Sequence, residues 1–221
     1  MLSQFDTSWY NKNWFLYWAL EYLEKEFGLC VILSDVLPAC DDDDLLSNLA
    51  RRIPGNIPST ILDTKLWNAY RNHHDMRRLT DLLKRNNKDA LLEYYVQAQE
   101  LMTLPDMVSE PVVPETTDAI REIESADCLP VLIDLLKLSY DSNFKDREHF
   151  GLRDSCCNAI VAIGKVDYDI THDALSVART DKNTTVDNAI LDLIDAIERD
   201  LPYDLDKPMS FENAVLLIPQ N

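Results

Sequence analysis

The stretch Leu152-Arg153-Asp154-Ser155-Cys156-Cys157-Asn158-Ala159-Ile160-Val161-Ala162-Ile163-Gly164 constrains this chain more than any other. It opens on an aliphatic residue followed by Arg, places small or apolar residues at 156, 159, 160 and 163, and stops on Gly164. Those positions recur at helical spacing, so they share one face. The side chains on that face are mostly short, and such a helix can lie close against other helices. A stacked-helix solenoid is expected, with a binding rather than a catalytic role.

The segment upstream extends the pattern. Leu129-Pro130-Val131-Leu132-Ile133-Asp134-Leu135-Leu136 reads as a helix with Pro130 in its first turn, where a missing N–H costs nothing. Apolar residues at 129, 132, 133, 135 and 136 give it a wide buried stripe. Together the two helices resemble the HEAT-like (armadillo-type) repeat family, whose pattern is a Pro-led first helix and a second helix opening on Val-Arg and ending Ile-Gly. The resemblance covers residues 127 to 165. It implies an all-α fold, an α-α superhelix in the C-terminal half, and protein–protein recognition by a scaffold, adaptor or regulatory subunit.

A second copy follows. Moving 34 positions from Leu152, Cys156, Ala159, Ile160 and Ile163 lands on Val186, Ile190, Leu193, Ile194 and Ile197, all apolar. The helix before it, Asp173 to Ala178, is short, and Thr180 to Asn183 make the turn. Here the family pattern weakens, since Asp187 stands where the Arg would be and no Gly follows Ile197. Thr117 to Ile123 reads as the second helix of a degenerate earlier copy. Repeats of this kind cannot bury their apolar faces alone and must stack.

Gly is scarce, strand-like alternation is nearly absent, and apolar residues recur at three and four, so an all-helical chain is expected throughout. Four segments are expected: an N-terminal helical region (1–104), a Pro-rich linker (105–114), acidic repeats (115–202) and a tail (203–221). Helices are expected near 7–27, 45–52, 60–72, 75–85 and 88–103, with a turn at Ile53 to Pro58. Charge follows the same division. Residues 1–104 hold 11 Lys/Arg and 15 Asp/Glu, a net of −4, and residues 105–221 hold 10 and 24, a net of −14. The acidic half should repel a phosphate backbone, whose binding rests on Lys and Arg. The basic concave face that HEAT-like DNA glycosylases need is missing from it.

Five cysteines, at 30, 40, 128, 156 and 157, form no CxxC or Cys/His cluster. They read as buried thiols of a reducing cytoplasm. The longest apolar run, Trp14 to Leu20, is far shorter than the roughly 20 residues of a membrane span. A cytoplasmic protein is expected, with no membrane association and no cofactor.

Several features invite sharper readings. The first helix is crowded with Trp9, Tyr10, Trp14, Phe15, Tyr17, Trp18, Tyr22 and Phe27. A central core helix wrapped by its neighbours is the preferred reading, and a partner or self-association surface is the alternative. Asp41 to Asp44 precede a helix and lack the spaced ligands and central Gly of a calcium loop, so capping is preferred over metal. If one helix runs through 71–88, Arg71, His74, Arg78, Arg85 and Lys88 fall near one face as a basic stripe, with Trp67 and Tyr70 nearby. A solvated or self-docked face is the preferred account of that stripe. His73 and His74 are adjacent and do not face each other. No nucleophile elbow, phosphate loop or paired carboxylate motif accompanies them, so no catalytic or metal residue is assigned and an enzyme is not expected.

The candidate partner surface combines two elements. The insert Ser139 to Gly151 carries Tyr140, Phe144 and Phe150 as aromatic anchors. Asp154, Asp187, Asp192, Asp195 and Glu198 lie on the second helices of the repeats and form an acidic strip. A protein with a basic surface is the expected partner. An acidic inhibitor or immunity-type protein that masks a basic nuclease is the alternative. A chromophore-lyase-like helper is a third possibility, implied only by the resemblance, because some HEAT-like proteins attach bilins.

Overall fold

The computed structural model describes residues 9–40, 42–55, 57–103, 114–141, 149–179 and 184–199. They are helical, with turns between the helices and no strand among them. Contacts divide the chain into two compact units, Met1–Arg85 and Asn86–Asn221.

The first unit begins with α1 (Trp9–Phe27), which Gly28 ends at φ +78°, in the left-handed region that favours glycine. A short helix α2 (Leu29–Val31) then runs into the π-helical turn Ile32–Val36. Next comes α3 (Asp43–Arg52), where the Asp42 carboxylate accepts from the Leu45 N–H at 3.0 Å. This is the capping role expected of the acidic run. Helices α4 (Thr60–His73) and α5 (Met76–Leu83) form a hairpin. Ser59 caps α4 through the Leu62 N–H, and Asp75 caps α5 through the Arg77 N–H. His74 sits between them in the left-handed region at φ +48° and terminates α4. The core gathers Ile32, Leu37, Leu49, Ile53, Leu62, Leu66, Leu79, Leu82 and Leu83.

The second unit holds α6 (Lys88–Thr103), α7 (Pro114–Arg121), α8 (Leu129–Leu138), α9 (His149–Val166), α10 (Tyr168–Ala178) and α11 (Thr184–Glu198). A 3-10 turn (Ala126–Cys128) leads into α8, and Asn86 anchors the segment before it by accepting from the Glu124 N–H at 2.7 Å. Because α6 packs on α8 and on this turn, the boundary falls at Arg85/Asn86, ahead of the Pro-rich stretch. Of that stretch, 105–113 lies outside the described residues, and Pro114 begins α7.

Helix packing in this unit follows a rule. α6 contacts α8, and α8 contacts α10; α7 contacts α9, and α9 contacts α11. Cross-links between the two sets run α8 to α9, α9 to α10 and α10 to α11. Leu152, Cys156, Ala159, Ile160 and Ile163 are all buried, as are Val186, Ile190, Leu193 and Ile197, the positions 34 later. Ile194 is half-buried.

Gly164 corrects one expectation. It does not stop α9, which continues to Val166. A Cβ at this position would meet the Ile197 side chain at 2.6 and 2.9 Å. The glycine is there because α11 presses against it.

Candidate functional site

The acidic strip is set by how α11 is buried. Val186, Ala189, Ile190, Leu193, Ala196 and Ile197 point inward at helical spacing. Asp187, Asp192 and Asp195 therefore fall on the flanks, half-buried, and Glu198 is exposed. Asp192 and Asp195 are three residues apart and face the same way. Burial, and then the Asp195 charge, push the Asp192 carboxyl above the usual carboxylate range. Asp195 accepts from the Arg199 Nε at 2.6 Å through one oxygen, while its other oxygen is buried with no hydrogen-bond partner among the described residues.

Beside this strip lies Tyr140, in the turn that follows α8. The Arg153 guanidinium from the first turns of α9 covers its ring at 3.7 Å from the centroid. Arg153 also donates to the Ser139 carbonyl at 2.8 Å, and the Ser139 hydroxyl donates to the Leu136 carbonyl at 2.6 Å. Arg153 thus ties the Tyr140 ring to the end of α8. Burial raises its phenol above the ordinary range against the opposing pull of Arg153, with Cys157 and Asp192 adding to the rise. The Asp192 charge is near enough to be felt at Tyr140.

The remaining expected residues divide. Asp154 is ion-paired to Arg121 of α7 and also accepts from Asn158 at 3.0 Å, so it is a link between helices rather than an open charge. Glu198 accepts from the Tyr168 hydroxyl at 3.1 Å. Phe144 lies outside the described residues. Phe150 belongs to the first turn of α9 rather than to a loop, and its side chain lies outside the described residues; His149 likewise opens that helix.

The basic stripe at 71–88 is not formed. The helix breaks at His74 and again after Leu83, so Arg71, His74, Arg78, Arg85 and Lys88 do not share one helix face. Arg78 is buried, donating to the Ser47 hydroxyl and pairing with Asp81 at 3.6 Å. Arg85 is buried as well; it pairs with Asp63 at 2.6 Å and donates to the carbonyls of Ile57 and Ile53 at 2.9 and 3.3 Å. Arg71 is exposed and stacks over Trp67 at 5.2 Å; His74 is exposed, and Lys88 belongs to the second unit.

Sequence reasoning missed Arg153 and Arg121 as the partners of Tyr140 and Asp154. The aliphatic-Arg pair at 152–153 was a usable signal, but it was attached to the repeat pattern and not to a tyrosine in the preceding turn. Among the described residues no three His, Cys, Asp or Glu side chains converge as a metal site would require. Cys40, Cys128, Cys156 and Cys157 are buried; burial pushes the Cys128 thiol up to about 11 and the Cys156 thiol well above its ordinary range, which keeps both protonated and unreactive. No helix among the described residues is long and apolar enough to cross a membrane. Comparison with protein-family models, with curated proteins and with solved structures finds no match.

Proposed function

We propose that this protein is a non-catalytic binding module whose second unit is a short HEAT-like solenoid. The observation that carries this reading is the alternating contact order. α6, α8 and α10 form one succession and α7, α9 and α11 another, cross-linked as two layers of a helical stack would be. Repeats stacked this way present one long edge, and a long edge suits a protein partner. The net of −14 over residues 105–221 selects a partner with a basic surface. The contact point on this reading is Asp192 and Asp195 with the pinned Tyr140 beside them. A tyrosine already held by Arg153 loses little freedom on binding, which favours it as an anchor.

The test begins with affinity capture by the full chain and identification of what binds. Association kinetics are then measured with purified components. Charge reversal at Asp192 and Asp195 should slow association, most visibly at low salt, because charges at the edge of an interface chiefly steer encounter. Tyr140→Ala should instead speed dissociation. Wild-type kinetics in both variants would remove this surface from the interface. The charge asymmetry also favours a second reading, an inhibitor that covers a basic nuclease. Capture of a nuclease whose activity the chain suppresses would select it, and capture of a multi-subunit assembly would select the scaffold.

A further inference from the structure

The last two helices of the second unit lack the neighbours that the middle ones have. α8 packs against both α6 and α10, and α9 against both α7 and α11. α10 and α11 close the two successions, and no helix follows them among the described residues. The terminal helices of a stack need a cover of their own.

The side chains of α11 show where that end face lies. Ala189, Leu193 and Ala196 are buried, and Ile197 lies against Gly164 of α9. Asp187, Leu191, Ile194 and Glu198 recur at i, i+4, i+7 and i+11, so they form a different stripe. Leu191 is 41 % exposed and Ile194 is half-buried. Where the stripe ends, Glu198 accepts from the Tyr168 hydroxyl at 3.1 Å. The Tyr168 ring, exposed to the same extent as Leu191, stacks on His172 of α10 at 5.6 Å. Leu191 and Ile194 of α11 therefore border one end face with Tyr168 and His172 of α10, and the chain leaves that face at Arg199.

Residues 200–221 lie outside the described residues, and their sequence holds a segment that fits. Ser210 is a helix-capping residue type, Glu212 follows where a first turn would be, and Pro219 stands where a helix would stop. Phe211, Ala214, Val215 and Ile218 recur at i, i+3, i+4 and i+7, an apolar helical stripe. Val215-Leu216-Leu217-Ile218 is an unbroken apolar run, a liability if left in water. The connection is long enough. Residues 200–209 would make the turn from a second helix to the next first helix, which 122–128 make between α7 and α8.

We infer that residues 211–218 fold as a short helix onto this end face and cap the stack, with Phe211, Val215 and Ile218 against Leu191, Ile194 and the Tyr168–His172 pair. Tethering favours this chain's own tail over a second copy. A segment held by a short linker beside its site has an effective concentration in the millimolar range, which a second copy at micromolar concentration does not match. The inference rests on the helical-stack part of the function proposed above and not on its basic partner.

Hydrogen–deuterium exchange of the full chain, read by mass spectrometry, tests the proposal. Amides of 211–218 should exchange at least about tenfold more slowly than those of an unstructured chain, and equally so at about 1 and about 50 µM protein. Val215→Asp on the tail and Leu191→Asp on the end face should each bring them to within about twofold of the unstructured rate, while peptides from α8 and α9 keep their wild-type protection. Should Leu191→Asp loosen α11, Leu191→Cys gives a second measurement: alkylation at that position should quicken about tenfold when Val215→Asp is added. A tail that is unprotected in the wild type overturns the proposal; protected α10 and α11 beside it would leave the stack, and the function proposed from it, standing. Protection that survives Leu191→Asp, with alkylation at 191 indifferent to Val215→Asp, also overturns it. Protection lost on dilution assigns the end face to the tail of a second copy and overturns docking within one chain.

Discussion

In the first unit two arginines lie inside and three aromatic rings of α1 outside; in the second, the centre of α9 is aliphatic, small-residue and thiol, and two acids lie along the flank of α11. Arg78 and Arg85 are buried, while Phe15, Trp18 and Tyr22 are exposed. In the second unit Cys156, Cys157, Ala159 and Ile160 are fully buried, while Asp192 and Asp195 stay half-buried on α11. The contrast follows from what each set of helices has to join. The segment after α3 brings the Ile53 and Ile57 carbonyls to the α4–α5 hairpin, and the Arg85 guanidinium with its fork of donors meets both. At the centre of the second unit, α9 meets its neighbours through short side chains, Cys156, Ala159 and Gly164, and close approach suffices.

The largest expected effect lies in the arginines. Arg85→Ala should destabilise the first unit by about 3–5 kcal/mol, because it leaves the Ile53 and Ile57 carbonyls and Asp63 without their donor. Arg71→Ala, on the exposed side of α4, should change stability by less than about 0.5 kcal/mol. Chemical denaturation of both variants reads the comparison directly. Similar losses in the two would mean that Arg85 is not the internal tie.

The second unit should respond instead to size. Ala159 is fully buried in α9, between helices that all lean on it. Ala159→Gln should cost about 2–4 kcal/mol, combining overpacking with a buried amide. Thermal unfolding that matches the wild type would show that α9 is not a close-packed centre.

A smaller and more specific effect is expected at Gly164. Gly164→Ala gains helix propensity of about 1 kcal/mol but drives a methyl into Ile197, so a net loss of about 1 kcal/mol is expected. Shortening the obstacle should relieve it. In a double-mutant cycle Ile197→Val should be nearly harmless in the alanine background, giving a coupling of about 1 kcal/mol. Zero coupling would separate α9 from α11 at this point.

The helices themselves were legible because hydrophobic periodicity is local. The stretches 60–72 and 88–103 match α4 and α6 closely, and the apolar positions 34 apart are nearly all buried. What periodicity cannot give is the identity of the partner across the core. Arg78 and Arg85 look like solvated charge until Ser47 and Asp63, distant in sequence, are brought beside them. Gly164 looks like a helix stop until Ile197 arrives. The aromatics of α1 fail in the opposite sense: their hydrophobicity argues for a core helix, yet Phe15, Trp18 and Tyr22 are exposed. At the candidate site, Tyr140 and the acids were readable as residue types, whereas their pairing through Arg153 was not.

The smallest expected effect carries a sign that distinguishes the acidic strip from the buried arginines. Asp192 has its carboxyl raised by burial and by Asp195. A carboxyl whose folded value lies above its unfolded value favours folding while protonated. That contribution is full below the unfolded value, near 4, and is lost as pH rises through the folded one. Once pH has risen through the folded value, the Asp192 charge opposes folding. Asp192→Asn should therefore stabilise the second unit at pH 7 by about 0.5 kcal/mol, the size of a partly solvated like-charge pair. The gain should vanish when unfolding is measured below the carboxylate range, where the wild type carries the proton itself. A strip kept at some loss of stability is what a surface that meets a basic partner would retain. If Asp192→Asn instead destabilises the unit at pH 7, the carboxylate is held by a favourable contact of its own. The strip would then belong to the architecture, as Asp154 does through Arg121.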